Sequence, residues 1–347
     1  MNKKTKIIII ISAIAVVLAF IIGLIIYSFS PITKNNEEVI FVIEPGTSKV
    51  DIIDDLKESN LIKSKIAAYG LVFIGNNNLQ AGKYQLNRNM SLTDIINKIE
   101  LGDTYRKTFT ITFVEGKRLT YYVGQIAEKL EVDDEEVLKT ISDKEYLKGL
   151  INKYWFLTDE ILNDELYYPL EGYLYPSTYE FFSDSTIESV LEKMLDTTSS
   201  KLNNYKEKIE ASEMSVHEIL AMASIIELEA VSKNDRQTVS QVIYSRLAKN
   251  WSLGMDVTSY YGVKKDMSEA LTRSDINDNN PYNTRPTNKL GLPVGPICNP
   301  SIESVDAVFN PTNTNYMYFY ADIKTGIVYF AETTEEFTNL IKEIGGN

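Results

Sequence analysis

The first strong pattern in the chain is an unbroken apolar run. No residue from Ile7 to Tyr27 is charged. At 1.5 Å per helical residue that stretch spans roughly 30 Å, the thickness of a bilayer core. It predicts a transmembrane helix over 7–28 with a cytoplasmic N-terminus over 1–6. Lys3, Lys4 and Lys6 precede the run and few charges follow it closely, which leaves the rest of the chain outside. A cleaved signal peptide is the alternative. Its apolar stretch is shorter, about 7 to 15 residues, and closes on small residues. This run closes on Tyr27-Ser28-Phe29-Ser30-Pro31. Residues 29–38 are polar and read as a linker.

The pattern then changes to short extended segments, each followed by a turn and a helix. Three such units turn at Pro45-Gly46, Arg88-Asn89 and Glu115-Gly116. Aligned on Gly46, Asn89 and Gly116, they carry Ile53 and Leu56, Ile96 and Ile99, and Val123 and Ile126 at matching offsets. That i, i+3 spacing marks the buried stripe of a helix. Thr110 and Thr112 alternate with apolar neighbours as a strand does. These small β-α units fill 39–132. Residues 133–165 are acidic and helical in pattern. In Leu166–Phe182, Pro169, Gly172 and Pro176 break any helix. Four tyrosines there precede Pro176 and a fifth follows, which suits either a core loop or the floor of a sugar groove.

A helix is predicted from Val216 to Val231, opened by a capping box at Ser215 and Glu218. Ile219, Leu220, Met222, Ala223, Ile225, Ile226 and Leu228 surround it with apolar groups, so it should be buried. Glu227 shares a face with Leu220, Ala223 and Ser224. Glu229 points about 200° round the helix, so the two acids cannot act as one pair. An unpaired carboxyl in an apolar setting holds its proton to higher pH and can serve as a general acid. The competing account, which the residues alone favour, is a buried ion pair to Arg236 or Arg246 on the next helix, predicted over Asp235–Lys249 with Val239, Val242, Ile243 and Leu247 inward. Near the C-terminus, Tyr316–Asp322 and Ile327–Ala331 flank Lys324-Thr325-Gly326 as a hairpin. A final helix follows, capped at Thr333–Glu336 and apolar along Phe337, Leu340 and Ile341. This end reads as packing around the rest.

Composition narrows the chemistry. The chain has 347 residues, 44% of them hydrophobic, with 22 Tyr and 13 Phe, enough for a real core. Its net charge of −13 argues against nucleic acid. The lone cysteine, Cys298, cannot form an internal disulfide and reads as a small filler, which suits a bacterial envelope. The lone histidine, His217, rules out sites that need two. A Ser/His/Asp triad would have to use it.

The segments LEGYLYPSTYEF, ASIIELEA, VIYSRL, MDVTSYYGV and PYNTR…GLPVGPICNPS occur in that order. Together they resemble the endolytic murein transglycosylase family, the YceG-like or MltG-type proteins, over nearly the whole chain. The resemblance implies an α+β fold: an N-terminal transmembrane helix, LysM-like small α/β units over 39–132, and an α+β catalytic domain over 133–347 built on a central buried helix. It implies a membrane-anchored lyase outside the cell membrane. Such an enzyme cuts nascent peptidoglycan glycan strands between N-acetylmuramic acid and N-acetylglucosamine, leaves 1,6-anhydro ends and terminates strand elongation. Glu227 is then the catalytic acid, although the motif also matches at Glu229. Substrate-binding positions carried over by motif are Glu171, Tyr173, Tyr175, Glu229, Asp256, Thr258, Tyr261, Tyr282 and Asn283. No metal and no cofactor are implied. The implied partners are peptidoglycan strands, the membrane, penicillin-binding synthases and the elongation or division machinery. Two rivals remain: a non-catalytic peptidoglycan-binding scaffold, and a muramidase hydrolase pairing Glu227 with Asp256 or Glu171. Ser177 and Val257 depart from the family pattern, which often has Asp and Pro there.

Overall fold

The structure, a computed structural model, describes residues 3–322 and 325–344. The chain divides between Lys107 and Thr108 into two compact units. The first opens with helix α1 (Lys3–Phe29). Its stretch Ile7–Phe29 is long and apolar enough to cross a membrane, and none of its most apolar part is buried in protein. Strand β1 (Glu38–Ile43), helices α2 (Lys49–Glu58) and α3 (Lys65–Tyr69), strand β2 (Gly82–Asn87) and helix α4 (Leu92–Glu100) follow. A π turn, Gly70–Ile74, extends α3. β1 and β2 pair antiparallel from Glu38↔Asn87 to Ile43↔Gly82. Ser48 caps α2, and Ser91 with Asp94 forms a capping box on α4, so each helix starts where its polar signal stands. The stripes read from spacing, Ile53 and Leu56, Ile96 and Ile99, are buried against Tyr84 and Leu86 of β2.

The second unit runs through β3 (Thr108–Thr112), α5 (Leu119–Leu130), α6 (Asp134–Ile141), α7 (Lys144–Lys153), β4 (Thr178–Phe182), α8 (Ile187–Leu202) and α9 (Lys206–Glu210). It continues with α10 (Val216–Glu229), α11 (Lys233–Ala248), α12 (Asp256–Gly262), α13 (Arg273–Ile276), α14 (Ile302–Phe309), β5 (Tyr318–Asp322), β6 (Ile327–Ala331) and α15 (Thr334–Glu343). The third β-α unit belongs here. β3 pairs antiparallel with β4, from Thr108↔Phe182 to Thr112↔Thr178, which ties residues 108–130 to the later chain. The division therefore falls at 107/108 rather than at 132. β5 and β6 form the C-terminal hairpin; Lys324 of its expected turn lies outside the described residues.

α10 is the centre of the second unit. Every residue from Ile219 to Ile226 is buried, and the helix packs against α14, α11 and α12. The predicted capping box at Ser215 and Glu218 is present. The helix stops at Glu229, two residues short of Val231, because Ala230 turns extended at φ −144°.

The broken segment before β4 is held by Asn299, whose Oδ1 accepts from the backbone N of Gly172 at 3.0 Å and of Leu174 at 3.1 Å. Gly172 sits at φ +84°, and a β-carbon there would run into Pro296. Gly172→Ala therefore combines left-handed backbone strain with a clash, and should lower unfolding free energy by about 1–3 kcal/mol. Denaturant unfolding checks this; an unchanged midpoint contradicts it.

Candidate active site

Glu227, near the end of α10, turns inward. Arg236 Nη2 of α11 donates to its Oε1 at 3.1 Å. Its Oε2 accepts from Ser301 N at 3.0 Å, Ser301 Oγ at 2.5 Å and Ser304 Oγ at 2.6 Å. Ser301 is the N-cap of α14, so the carboxylate also meets the positive end of that helix. Only 4% of the Glu227 side chain and 14% of the Arg236 side chain are exposed. These contacts overturn the expectation of an unpaired acid in apolar surroundings at Glu227. Its partners are an arginine, two hydroxyls and a backbone amide, and they bolt α10 to α11 and α14. Of the two arginines considered, Arg236 is the partner.

Glu229 lies two residues on and faces the other way. It lines a cleft of ≈740 Å³ with Arg246, Trp251, Met255, Asp256, Tyr260 and Arg285, closed on one side by Tyr318–Ala321 and Phe337. Among the described residues, none donates a hydrogen bond to the Glu229 carboxyl or forms an ion pair with it. Burial pushes that carboxyl up to about 7; the nearby Asp256 adds to the rise, and Arg285 and Arg246 oppose it. A place in the last turn of α10, at the negative end of the helix, works in the same direction as the rise. Asp256 at the start of α12 is exposed and ion-paired with Arg285, whose Nε donates to it at 2.6 Å. Two carboxyls in one cleft thus have different settings: one without a partner and held toward its neutral form, one paired with a guanidinium.

Arg246 is pinned by the carbonyls of Leu253 and Met317, the latter at 2.8 Å, and its guanidinium stands over the Tyr318 ring at 5.7 Å. Trp251 is 42% exposed and packs against Tyr318, which stacks on Phe337 with centroids 5.3 Å apart. The aromatic side of the cleft therefore comes from Trp251 and the C-terminal hairpin and helix, which the sequence pattern alone marks only as packing. Arg246 and Arg285 each end or nearly end a motif segment, VIYSRL and PYNTR. That position was the available signal for both.

The other motif positions hold the scaffold together. Glu171 is buried, accepts from Leu119 N at 2.8 Å and Tyr261 OH at 2.9 Å, and is pushed up to about 8 by burial. It caps the start of α5 and does not line the cleft. Tyr261 is buried on that same bond. Tyr173 is buried in the core with its hydroxyl 2.7 Å from His217 Nδ1, and His217 Nε2 donates to the Val294 carbonyl at 2.9 Å. Both are tied up in structure, and no triad forms around His217. Tyr282 accepts from Tyr167 N at 3.1 Å. Asn283 holds the end of α13, Asp278 and Ser259, and Thr258 bonds Thr284 at 2.9 Å. Tyr175 is half-buried beside a small gap against α8 and α14. Of the ten positions carried over by motif, the cleft brings together Glu229 and Asp256. Cys298 is a buried filler whose thiol meets the Ser224 carbonyl.

The YceG-like family matches residues 41–343. The chain belongs to the YceG-like family. A Bacillus subtilis (strain 168) protein named endolytic murein transglycosylase is 35% identical over 310 residues, covering 88% of this chain and 85% of that protein. A Streptococcus pneumoniae (serotype 2, strain D39) protein of the same name is 28% identical over 338 residues, covering 91% of this chain but 60% of that longer protein. The crystal structure of a yceG-like protein from Listeria monocytogenes matches with a TM-score of 0.63 at 34% identity, over 88% of this chain and all of that one. The mixed α/β fold with an N-terminal apolar helix, expected from the motifs, stands.

The two acids should behave differently when removed. Glu227→Ala strands a nearly buried Arg236 and two hydroxyls, and should cost about 3–5 kcal/mol of stability. Glu229→Gln keeps the shape and removes a carboxyl that is costly to ionise there, so it should leave the thermal midpoint unchanged or raise it above pH 7. Differential scanning calorimetry of both variants checks this; equal losses contradict it.

Proposed function

We propose that the chain is a membrane-anchored lytic transglycosylase. It cuts peptidoglycan glycan strands internally, between N-acetylmuramic acid and N-acetylglucosamine, with Glu229 as the proton carrier. The observation that carries this reading is the Glu229 carboxyl, free of partners on the wall of the large cleft and held near pH 7. Names borne by the family's relatives support the substrate class. The aromatic wall supports it too, since flat faces suit sugar rings.

Protonated Glu229 gives its proton to the glycosidic oxygen, and the bond from that oxygen to C1 of the muramic residue breaks. The cationic centre that forms is steadied by the Asp256 carboxylate of the same cleft, held in place by Arg285. Ionised Glu229 then takes the proton of the sugar's own C6 hydroxyl, and that oxygen bonds to C1. The result is a 1,6-anhydro end. Glu229 finishes protonated and no water is consumed. One carboxyl near pH 7 suits both halves, acid first and base second. Glu227 keeps α10 seated so that the C-terminal end of the helix, and Glu229 with it, is fixed.

The positive N-terminus and the apolar span support an anchor with the second unit outside the membrane. Residues 39–107 are read as the LysM-like glycan-binding module. An enzyme tethered this way reaches strands near the membrane, so newly made chains are its substrate, and the synthases and elongation or division machinery are its neighbours. A second reading, a hydrolase using Glu229 and Asp256, is favoured by one observation: both carboxyls line the same cleft.

Digestion of purified peptidoglycan tests the reaction. Fragments with anhydro ends, lighter by one water, support the lyase; normal reducing ends support the hydrolase. Glu229→Gln should lose about 10²–10⁴ in rate, and full activity in that variant contradicts a proton-carrying role for Glu229. Because Glu229 must be protonated to act, the rate at low substrate should fall as pH rises through about 7. Asp256→Asn removes the neighbouring anion that raises Glu229, so in rate–pH profiles the fall should move to lower pH. A fall that stays in place contradicts that coupling.

A further inference from the structure

The segment Lys65–Ile74, α3 with its π turn, is apolar on two sides. Of its ten residues only Lys65 is charged. One side, Ala68 and Val72, is fully buried in the first unit's core. The other presents Ile66 at 85%, Ile74 at 88% and Phe73 at 52% exposure. A helix that is apolar all round belongs inside something, and here the protein covers one side alone. Ile66, Phe73 and Ile74 are spaced i, i+7, i+8, which gathers them into a single stripe.

The end of α1 shows what lies against that stripe. The Lys63 ammonium stands over the Tyr27 ring, 4.2 Å from its centroid, and donates to Ser30 Oγ at 2.8 Å. Phe29 packs on the same core as Ala67, Tyr69 and Leu71, and α1 touches α3 directly. Tyr27 stands near the end of the apolar span Ile7–Phe29, at the level where aromatic rings sit in a membrane–water interface. A segment that begins two residues after Lys63 is fixed to that level by these contacts. We infer that Lys65–Ile74 lies in the surface of the bilayer that α1 crosses, with Ile66, Phe73 and Ile74 among the acyl chains. Lipid is the partner of this face. The first unit is then held to the membrane by the span and by this second contact, which sets which way it faces. The inference rests on α1 spanning the bilayer.

The test uses the full chain in vesicles of phosphatidylglycerol and cardiolipin, spin-labelled singly at Ile66→Cys, Ile74→Cys, Val16→Cys or Glu135→Cys. Cys298 is buried, and label uptake by the parent protein gives its background. Collision with oxygen reports lipid, and collision with a water-soluble nickel chelate reports water. The labels at 66 and 74 should favour oxygen several-fold over the chelate, as the label in the span at 16 should, while the label at the exposed position 135 favours the chelate. Water-like collision at 66 and 74 beside a lipid-like label at 16 overturns the inference and leaves the anchor intact. Shielding of 66 and 74 from both reagents overturns it in favour of a protein partner. A water-like label at 16 overturns the anchor and the inference together.

Discussion

The second unit depends on a helix-geometry constraint met at the end of α10. Two acids two residues apart must point roughly 200° from each other. In this chain one of them, Glu227, is taken by Arg236, Ser301 and Ser304, which lock α10 to its two neighbours. Once that is fixed, Glu229 has no choice but to face the opposite side, where the cleft is. Inward polar bonding of one carboxylate and the unpartnered state of the other have the same origin. A buried ion pair is costly to strand, so the lock resists rotation of the helix end. The position of the reactive carboxyl is a by-product of that resistance.

Around this end the surrounding parts have complementary duties. Asn299 and Gly172 brace the broken segment before β4, Glu171 caps α5, and Tyr173 bonds His217 at the start of α10. None of these lines the cleft; Glu171, which also accepts from Tyr261 OH, ties in α12, whose first residues do. Arg285 holds Asp256, and two backbone carbonyls hold Arg246. The cleft wall is thus rigid on the α10–α12 side and aromatic on the hairpin side, an arrangement suited to gripping a sugar chain while a single carboxyl acts on it.

Much of the fold was legible from local pattern. The apolar run, the three strand–turn–helix units, the caps at Ser215 and Thr333 and the i, i+3 stripes all depend on neighbours in sequence, and each is present. The pairing of β3 with β4 was not legible, because it joins residues about seventy positions apart and follows from packing in three dimensions. The site was half legible for the same reason. Spacing separated Glu227 from Glu229, and arithmetic on the helix was enough to show that only one of them could face a groove. It could not show which, because Ser301 and Ser304, which claim Glu227, arrive more than seventy residues later. Motif membership likewise marked Glu171, Tyr173, Tyr261, Tyr282 and Asn283 without distinguishing a brace from a contact. Burial and hydrogen-bond partners make that distinction.

Everything proposed for the reaction turns on Glu229 having a carboxyl held near neutrality at the wall of the cleft. Carbon-13 NMR of side-chain carboxyls, with the Glu229 signal identified by its loss in Glu229→Gln, measures this directly. The expected titration midpoint lies near pH 7, whereas a midpoint at the ordinary glutamate value of about 4.5 would contradict the proton-carrying role.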